Sequence, residues 1–255
     1  MQTIFITSFN PFISRNILSG DILKLFRQKE SLRVVIFCPA YKQKYFEENF
    51  ASDNVVIEGV ETEVINKQDI IFSYIGRSLV STKTLAIHRW EIFLRNKNIF
   101  TFLFSYFLAV LGRLDQVKRF VRWLDLITIN KSKFSFYFDK YRPNLIFATD
   151  IFHVDDVHFL AEAKSRGIVT IGMVRSWDNI TNKGLFRIKP DKLIVHNEIV
   201  KDEAIKYEAM SSKDIFVSGL PQFDCYFNFL ASFFALCTIN RTPSDIFSSW
   251  IIMSG

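Results

Sequence analysis

The sequence lacks the short motifs that mark the best-known enzyme classes. It has no GxGxxG after its first predicted strand and no GxxxxGK[ST], which disfavours a Rossmann dinucleotide site and a Walker A phosphate loop. It also has no GxSxG, no HExxH and no paired-cysteine metal motif. The best-marked hydrolases and metalloenzymes are therefore disfavoured, and no metal site is predicted.

Cysteines are few, and none belongs to a CxxC pair. The chain has three, Cys38, Cys225 and Cys237, so neither a disulfide framework nor a zinc site is expected. The first residues, MQTIFITSF, have no basic region and no cleavage site of the kind that a signal peptide needs. We therefore expect a first strand at the N-terminus and a reducing, cytoplasmic compartment.

Most of the chain alternates between apolar runs and helical patterns. Apolar runs that are each followed by polar residues or a helix are typical of a parallel sheet buried on both faces. The predicted strands are residues 3–9, 32–39, 54–60, 144–150, 168–174, 192–197 and 215–219. The predicted helices are residues 14–28, 41–50, 79–141, 154–167 and 198–207. Residues 68–75 fit a strand or a helix start. The pattern predicts an α/β, doubly wound parallel sheet with right-handed crossovers over residues 1–224.

The long helical insertion, residues 79–141, concentrates the positive charge. The whole chain carries a net charge of +6, and eight Lys or Arg stand against two acids between Lys83 and Arg122. The same stretch contains residues 99–112, IFTFLFSYFLAVLG, which have no charge and are too few to span a bilayer. Such a run between cations suits a helix at an anionic membrane surface, and it equally suits a core helix with solvated flanks.

The composition changes after Asp224. Residues 225–255 contain one Arg, one Asp and no Lys or Glu, and they hold two of the three cysteines. This apolar C-terminal tail suits a docking helix, or else a truncated or out-of-frame coding sequence. We expect it to pack poorly on the domain.

Two polar clusters follow predicted strands, where the ligand sites of parallel sheets gather. Ser8 and Asn10 follow the first strand and precede a helix start that suits an anion, although a serine there is also a common N-cap. Asp150, His153 and Asp155 follow the strand at 144–150. A carboxylate beside a histidine orients the ring and raises its basicity, so His153 is a predicted general base. The acids also suit a helix first turn.

The third cluster, VRSWDNITNKG at residues 174–184, is the most specific. Arg175 offers a fork of donors for phosphate or carboxylate, and Trp177 offers a flat face for a sugar or base. Asp178 adds hydrogen-bonding groups. The asparagines there are also turn formers, and the tryptophan also suits a core anchor. The predicted catalytic residues are Asp178 and His153. The predicted substrate-binding residues are Ser8, Asn10, Asp150, Asp155, Arg175, Trp177, Asn179, Lys183 and His196.

Residues 168–224 resemble part of a known enzyme fold. The segments VRSWDNITNKG, PDKLIVHNEIVKDEAIKY and IFVSGLPQFD are similar to the second half of the N-terminal domain of GT-B glycosyltransferases. Bacterial surface-polysaccharide transferases, and their glycerophosphotransferase and sugar 2-epimerase relatives, are the nearest in pattern. In that family a G-x-P segment, here Gly219 to Pro221, precedes the linker to a second domain. The resemblance in topology covers residues 1 to about 224.

The resemblance implies transfer of a sugar from a nucleotide donor to a membrane-associated acceptor, in the synthesis of a cell-surface polysaccharide or glycolipid. It implies Asp178 or His153 as the base, Arg175 as a phosphate or acceptor contact, and no metal. Because a second domain holds the donor in that family, we expect this chain to be the acceptor-side half. Alone it would bind no cofactor and turn over no nucleotide sugar.

The partners that the resemblance implies are a sugar or lipid-linked acceptor and an anionic membrane surface, and no nucleic acid. The expected location is cytoplasmic, peripheral on the inner face of the cell membrane. Two other functions remain open, namely a non-catalytic sugar- or nucleotide-binding module and a fragment of a nucleotide-sugar 2-epimerase. A reading frame that continues into a Gly-rich second domain would favour the transferase.

Overall fold

The structure is a computed structural model that describes residues 1–62 and 65–220, without the side chains of Phe12, Ser14 and Arg15. The predicted apolar tail at residues 225–255 lies outside the described residues, as does Pro221 of the predicted G-x-P segment.

The described part of the chain forms one sheet of seven parallel strands. They are β1 (Gln2–Thr7), β2 (Leu32–Pro39), β3 (Val55–Val60), β4 (Leu145–Ala148), β5 (Val169–Met173), β6 (Lys192–Val195) and β7 (Ile215–Val217). Their order across the sheet is β3-β2-β1-β4-β5-β6-β7. The chain builds outward from β1 to one edge, returns to place β4 beside β1, and then builds to the other edge. This is the Rossmann strand order with one added strand, and it confirms the predicted doubly wound α/β fold.

The helices agree with the predicted segments but differ in their breaks. They are α1 (Pro11–Ile13), α2 (Asp21–Arg27), α3 (Gln43–Phe50), α4 (Lys67–Leu79), α5 (Lys83–Asn96), α6 (Ile99–Leu111), α7 (Asp115–Thr128), α8 (Ser135–Tyr141), α9 (Val154–Ser165), α10 (Asn179–Lys183) and α11 (Glu198–Glu208). The single helix predicted at 14–28 is wrong, because Gly20 is extended and separates a π-helical turn from α2. The ambiguous residues 68–75 are helical, since the Asn66 side chain caps α4 by accepting the Asp69 N–H.

The sheet is buried on both faces, as its apolar strands require. Successive residues of a strand point to opposite faces. Val34 and Ile36 of β2 pack in the cluster that includes α2 and α3, whereas Val35 and Phe37 pack with α8 and with Phe159 of α9. The core therefore has two layers of helices around one sheet.

The predicted helical insertion consists of α5 to α8 and begins at the end of α4. It is divided by Lys97, which adopts the left-handed conformation at φ 53°, and by a break between α6 and α7, which are bent by 113°. No single helix in the described ranges is long and apolar enough to cross a membrane. Together α6 and α7 would qualify by length and composition only.

Helix α7 turns its charged side inward. Lys118, Arg122 and Asp125 are spaced as i, i+4 and i+7 on one face, and they are only 4%, 7% and 1% exposed. Phe120 and Trp123 on the other side are 57% and 53% exposed. An ordinary amphipathic helix would have the opposite orientation, so the surface of this insertion is unusually apolar.

Buried carboxylates form ion pairs with Arg122 of α7 and with Arg187. The Arg122 Nη2 donates to Glu208 Oε2 at 2.6 Å, which ties α7 to α11. Arg187 donates from Nε and Nη2 to both oxygens of Asp125, at 2.7 and 2.9 Å, and from Nη1 to Asp69 of α4. These ion pairs join the insertion to the segment after α10.

Candidate functional site

The candidate site lies where the strand order reverses, between β1 and β4. Thr7 and Thr149 join the ends of these strands. The Thr149 Oγ1 donates to the Thr7 carbonyl at 2.6 Å, and the Thr149 N–H donates to Thr7 Oγ1 at 3.1 Å. Asn10 lies just beyond β1, half-buried, and its carbonyl accepts the Ile13 N–H at the start of α1. In open α/β sheets, ligands bind outside the carboxyl ends of the strands at this reversal.

The structure brings Asp150 together with two cations of the next cluster. Arg175 Nε donates to Asp150 Oδ2 at 2.8 Å, and Lys183 Nζ lies 3.9 Å from Asp150 Oδ1. Asp150 is buried, and Arg175 and Lys183 are partly exposed. Burial lowers the pKa of Lys183, although the Asp150 charge opposes this effect. The clusters after β4 and β5 therefore form one charged site.

The side chain of His153 is positioned by a backbone N–H of α9 and by an aromatic ring. It precedes α9 as the N-cap, and its Nδ1 accepts the Asp155 N–H at 3.3 Å. Its ring stacks on Phe9 with centroids 5.4 Å apart. Burial lowers the pKa of His153, which favours the neutral ring. Because Nδ1 is an acceptor here, the neutral ring carries its proton on Nε2 and offers a donor.

The acids of the first turn of α9 face inward. Lys133 Nζ donates to Asp155 Oδ1 at 2.8 Å, and both side chains are less than 10% exposed. Asp156 is buried and accepts a hydrogen bond from the Thr7 hydroxyl. Burial raises the pKa of Asp156 well above its ordinary value. Asp155 thus has a structural ion pair in addition to its predicted role in binding.

Residues 175–183 are more than a loop, since Asn179–Lys183 form the short helix α10. Trp177 is 72% exposed, which excludes a core anchor and leaves its face open to a ligand. The Ser176 hydroxyl donates to Asp178 Oδ1 at 2.6 Å. This hydrogen bond lowers the pKa of Asp178, so the carboxyl stays ionised at neutral pH. Trp177 and Asp178 are therefore positioned for contact with a solute.

Three buried polar atoms at this edge of the sheet have no hydrogen-bond partner among the described residues. They are Ser8 Oγ after β1, Asn179 Nδ2 after β5 and His196 Nε2 after β6. The three residues are only 1%, 3% and 6% exposed. The other ring nitrogen of His196 lies 3.4 Å from the Gly219 carbonyl. A buried polar group without a partner costs about 1–3 kcal/mol, so these atoms favour a ligand that supplies hydrogen-bonding groups.

The sequence patterns missed three contributors to the site. Thr7 lies inside the first predicted strand, residues 3–9, and Phe9 is the last residue of that strand. Lys133 lies in the helical insertion, far from Asp155 in sequence, and no local pattern links them. Thr7 is the last residue of β1, and a polar residue at the carboxyl end of a strand indicates a position beside the site. Among the described residues, no three His, Cys, Asp or Glu side chains form a group suited to a metal ion.

Comparison with known proteins gives distant structural similarities, including those to two glycosyltransferases. No family model matches the sequence, and no curated protein matches it. A glycosyltransferase from Rickettsia africae ESF-5 is 8% identical with a TM-score of 0.41, over 86% of this chain and 42% of that one. The spinosyn rhamnosyltransferase SpnG, complexed with thymidine diphosphate, is 10% identical with a TM-score of 0.38, over 76% and 45%. The chain spans less than half the length of each, and the likeness concerns the fold alone.

Proposed function

We propose that this chain forms the acceptor-binding side of a glycosyltransferase of cell-surface polysaccharide or glycolipid synthesis. The observation that carries the proposal is the strand-reversal site, where carboxylates, cations and unpaired buried polar atoms lie at the carboxyl edge of the sheet. Hydroxyl groups of a sugar both donate and accept hydrogen bonds, which suits such a mixed set. The resemblance of residues 168–224 to GT-B enzymes supplies the reaction class.

The geometry supports Asp178 as the base rather than His153. In direct displacement, the acceptor oxygen attacks the anomeric carbon, its proton passes to the base, and the bond to the nucleotide diphosphate breaks. An ionised Asp178 has lone pairs for this proton. The Nδ1 of His153 accepts a hydrogen bond from the Asp155 N–H, so its Nε2 carries the proton. His153 is therefore suited to donate a hydrogen bond from Nε2. Arg175 and Lys183 would supply positive charge near the leaving phosphate.

Replacing Arg175 with methionine should weaken binding of sugars to the full chain. The variant removes the donor that fixes Asp150, so the polar set at the site loses its arrangement. Titration with a panel of sugars and glycolipid head groups, followed by saturation-transfer NMR, should show an increase in Kd of about tenfold or more, as for the loss of a charged hydrogen bond. Arg166→Met is the control, because Arg166 follows α9 and lies near the amino ends of the strands, away from the candidate site.

Two results would overturn this function. The first is that no sugar in the panel binds, or that Arg175→Met binds as tightly as the parent. The second is that the chain binds a nucleotide sugar and releases free nucleotide, which would show that donor chemistry also takes place here. A stable fold for both arginine variants, checked by thermal unfolding, is required for the comparison.

The membrane-associated acceptor is supported by the surface of the insertion. On α6, Phe100, Leu103, Phe104 and Phe107 follow the i, i+3, i+4, i+7 spacing of one stripe, and each is at least 50% exposed. The exposed aromatic residues of α7 add to this apolar surface. Only part of this positive charge reaches the surface, because Arg89, Lys118 and Arg122 are buried. The exposed cations of residues 83–122 are Lys83, Arg95, Lys97, Arg113 and Arg119.

The double variant Phe104→Glu, Phe107→Glu should lose binding to anionic vesicles. It places two charges in the apolar stripe of α6, where they oppose burial among lipids. In co-sedimentation at low salt, vesicles rich in phosphatidylglycerol should bind the parent chain at least about tenfold more strongly than the variant. Ile199→Glu is the control, since Ile199 is 70% exposed on α11. Parent binding that is absent at low salt, or indifferent to phosphatidylglycerol, would contradict membrane docking.

A further inference from the structure

A groove lies between α4, α5 and α6. Its apolar wall includes Leu85, Ile92, Phe93 and Phe102, and its cavity volume is about 50 Å³. Trp90, half-exposed beside it, contacts the ring of Phe102 with centroids 4.7 Å apart. The groove therefore presents an apolar, aromatic channel close to the exposed apolar side chains of α5 and α6.

Arg89 carries a buried positive charge into the lining of this groove. The residue is 8% exposed. Its Nη2 donates to the carbonyls of Ser78 and Val80 at the end of α4, at 3.1 and 2.7 Å. Its guanidinium lies 5.6 Å from the ring centroid of Tyr106. Its Nε is buried and has no hydrogen-bond partner among the described residues.

The surroundings of Arg89 differ from those of the other buried arginines. Arg122 and Arg187 each bind a buried carboxylate. Within the described part of the chain, no ion pair joins Arg89 to an acid. The carbonyls at the end of α4 compensate its charge only in part, since a helix end carries about half an elementary charge. A buried cation with an unused donor favours an anionic ligand.

We propose that the groove between α4, α5 and α6 binds an amphiphile with an anionic head, whose phosphate pairs with Arg89 and whose alkyl chain lies along the apolar wall. This site does not depend on sugar transfer at the strand reversal. The groove borders that site through His88, which lines the groove and has Nε2 at 3.0 Å from Asn182 Oδ1. An anion with an apolar chain satisfies both the charge and the lining, and neither free phosphate nor a neutral chain satisfies both.

Calorimetry with three probes distinguishes a site for an anionic amphiphile from a simple anion site and from an apolar surface. Dodecyl phosphate, inorganic phosphate and dodecyl maltoside are titrated into the full chain below the micelle concentrations of the two amphiphiles. We expect dodecyl phosphate to bind at least about tenfold more tightly than either of the others, because only it carries both head and chain. Equal binding of dodecyl maltoside would show an apolar surface alone and would overturn the proposal. Equal binding of inorganic phosphate would show a simple anion site and would overturn it as well.

Variants test whether Arg89 binds the head group or only caps α4. Arg89→Met should weaken dodecyl phosphate binding about tenfold or more, and Arg89→Lys should restore part of it. Arg95→Met is the control on the same helix, where Arg95 is exposed and paired with Glu91. Thr101→Glu adds a negative charge to the groove lining from an exposed position and leaves the α4 cap intact. It should also weaken binding, and unchanged binding in Thr101→Glu would contradict the site even if Arg89→Met fails to fold.

Discussion

Replacing Arg187 with methionine should lower the free energy of unfolding by about 3–5 kcal/mol, the cost of removing one partner from a buried ion pair. Arg187 holds two carboxylates, Asp69 and Asp125, that are 2% and 1% exposed. Methionine fills much of the space but leaves both carboxylates buried without their cation. Because Asp69 lies on α4 and Asp125 on α7, the loss should loosen the insertion from the sheet domain. Urea unfolding followed by circular dichroism measures the effect.

The pH dependence of this loss gives a second check. In the parent chain, burial raises the pKa of Asp69, but hydrogen bonds from His158 and Arg187 outweigh burial and bring it to about 2. A depressed pKa contributes stability above the unfolded value, and that contribution is lost only as the pH falls through the folded value. Without Arg187, burial should raise the pKa of Asp69. The difference in stability between parent and variant should therefore shrink as the pH is lowered from 7 to 5.

Arg166→Met provides the matched control for this experiment. Arg166 also contacts two carboxylates, Asp139 and Glu162, but it is 31% exposed and the Asp139 side chain is 70% exposed. Exposed ion pairs contribute about 0–1 kcal/mol, so this variant should unfold almost as the parent does. A loss in Arg187→Met no larger than that in Arg166→Met would contradict the structural role of the buried network.

The strands and the position of the site were predictable because their signals are local. The run at residues 32–39 is apolar apart from Arg33, and a strand buried on both faces suits such a run. Polar residues directly after such runs must lie at the carboxyl edge of a parallel sheet. The meeting of Asp150 with Arg175 follows from that rule without any knowledge of side-chain contacts.

The orientation of α7 was not predictable in the same way. Its charged and apolar residues have clear helical spacing, which normally indicates that the apolar face is buried. The structure has the reverse, because Arg122 and Asp125 find partners in Glu208 and Arg187, which are distant in sequence. Pairing over such separations leaves no trace in local periodicity. The same holds for Lys133 and Asp155 at the candidate site.

Replacing Gly184 with alanine should lower the free energy of unfolding by about 2–6 kcal/mol, because an unfavourable backbone conformation and a steric overlap each cost about 1–3 kcal/mol. Gly184 ends α10 with φ 90° and ψ −153°, a region that is essentially limited to glycine. An added Cβ would also overlap the backbone of α4, at Arg77 and 2.7 Å from the Gly76 carbonyl. The change should displace α10, which carries Asn179 and Lys183, and so sugar binding should weaken with stability.

Gly167→Ala separates the two costs. Gly167 also has a positive φ, of 69°, but a Cβ added there would meet nothing within 4 Å. It should cost about 1–2 kcal/mol from the left-handed conformation alone. Gly167 follows α9 and lies near the amino ends of the strands, whereas the candidate site lies at their carboxyl ends. Sugar binding should therefore be unchanged. If the two alanine variants lose equal stability, α4 does not pack against Gly184 as described. If Gly184→Ala keeps full sugar binding, the position of α10 does not determine the site.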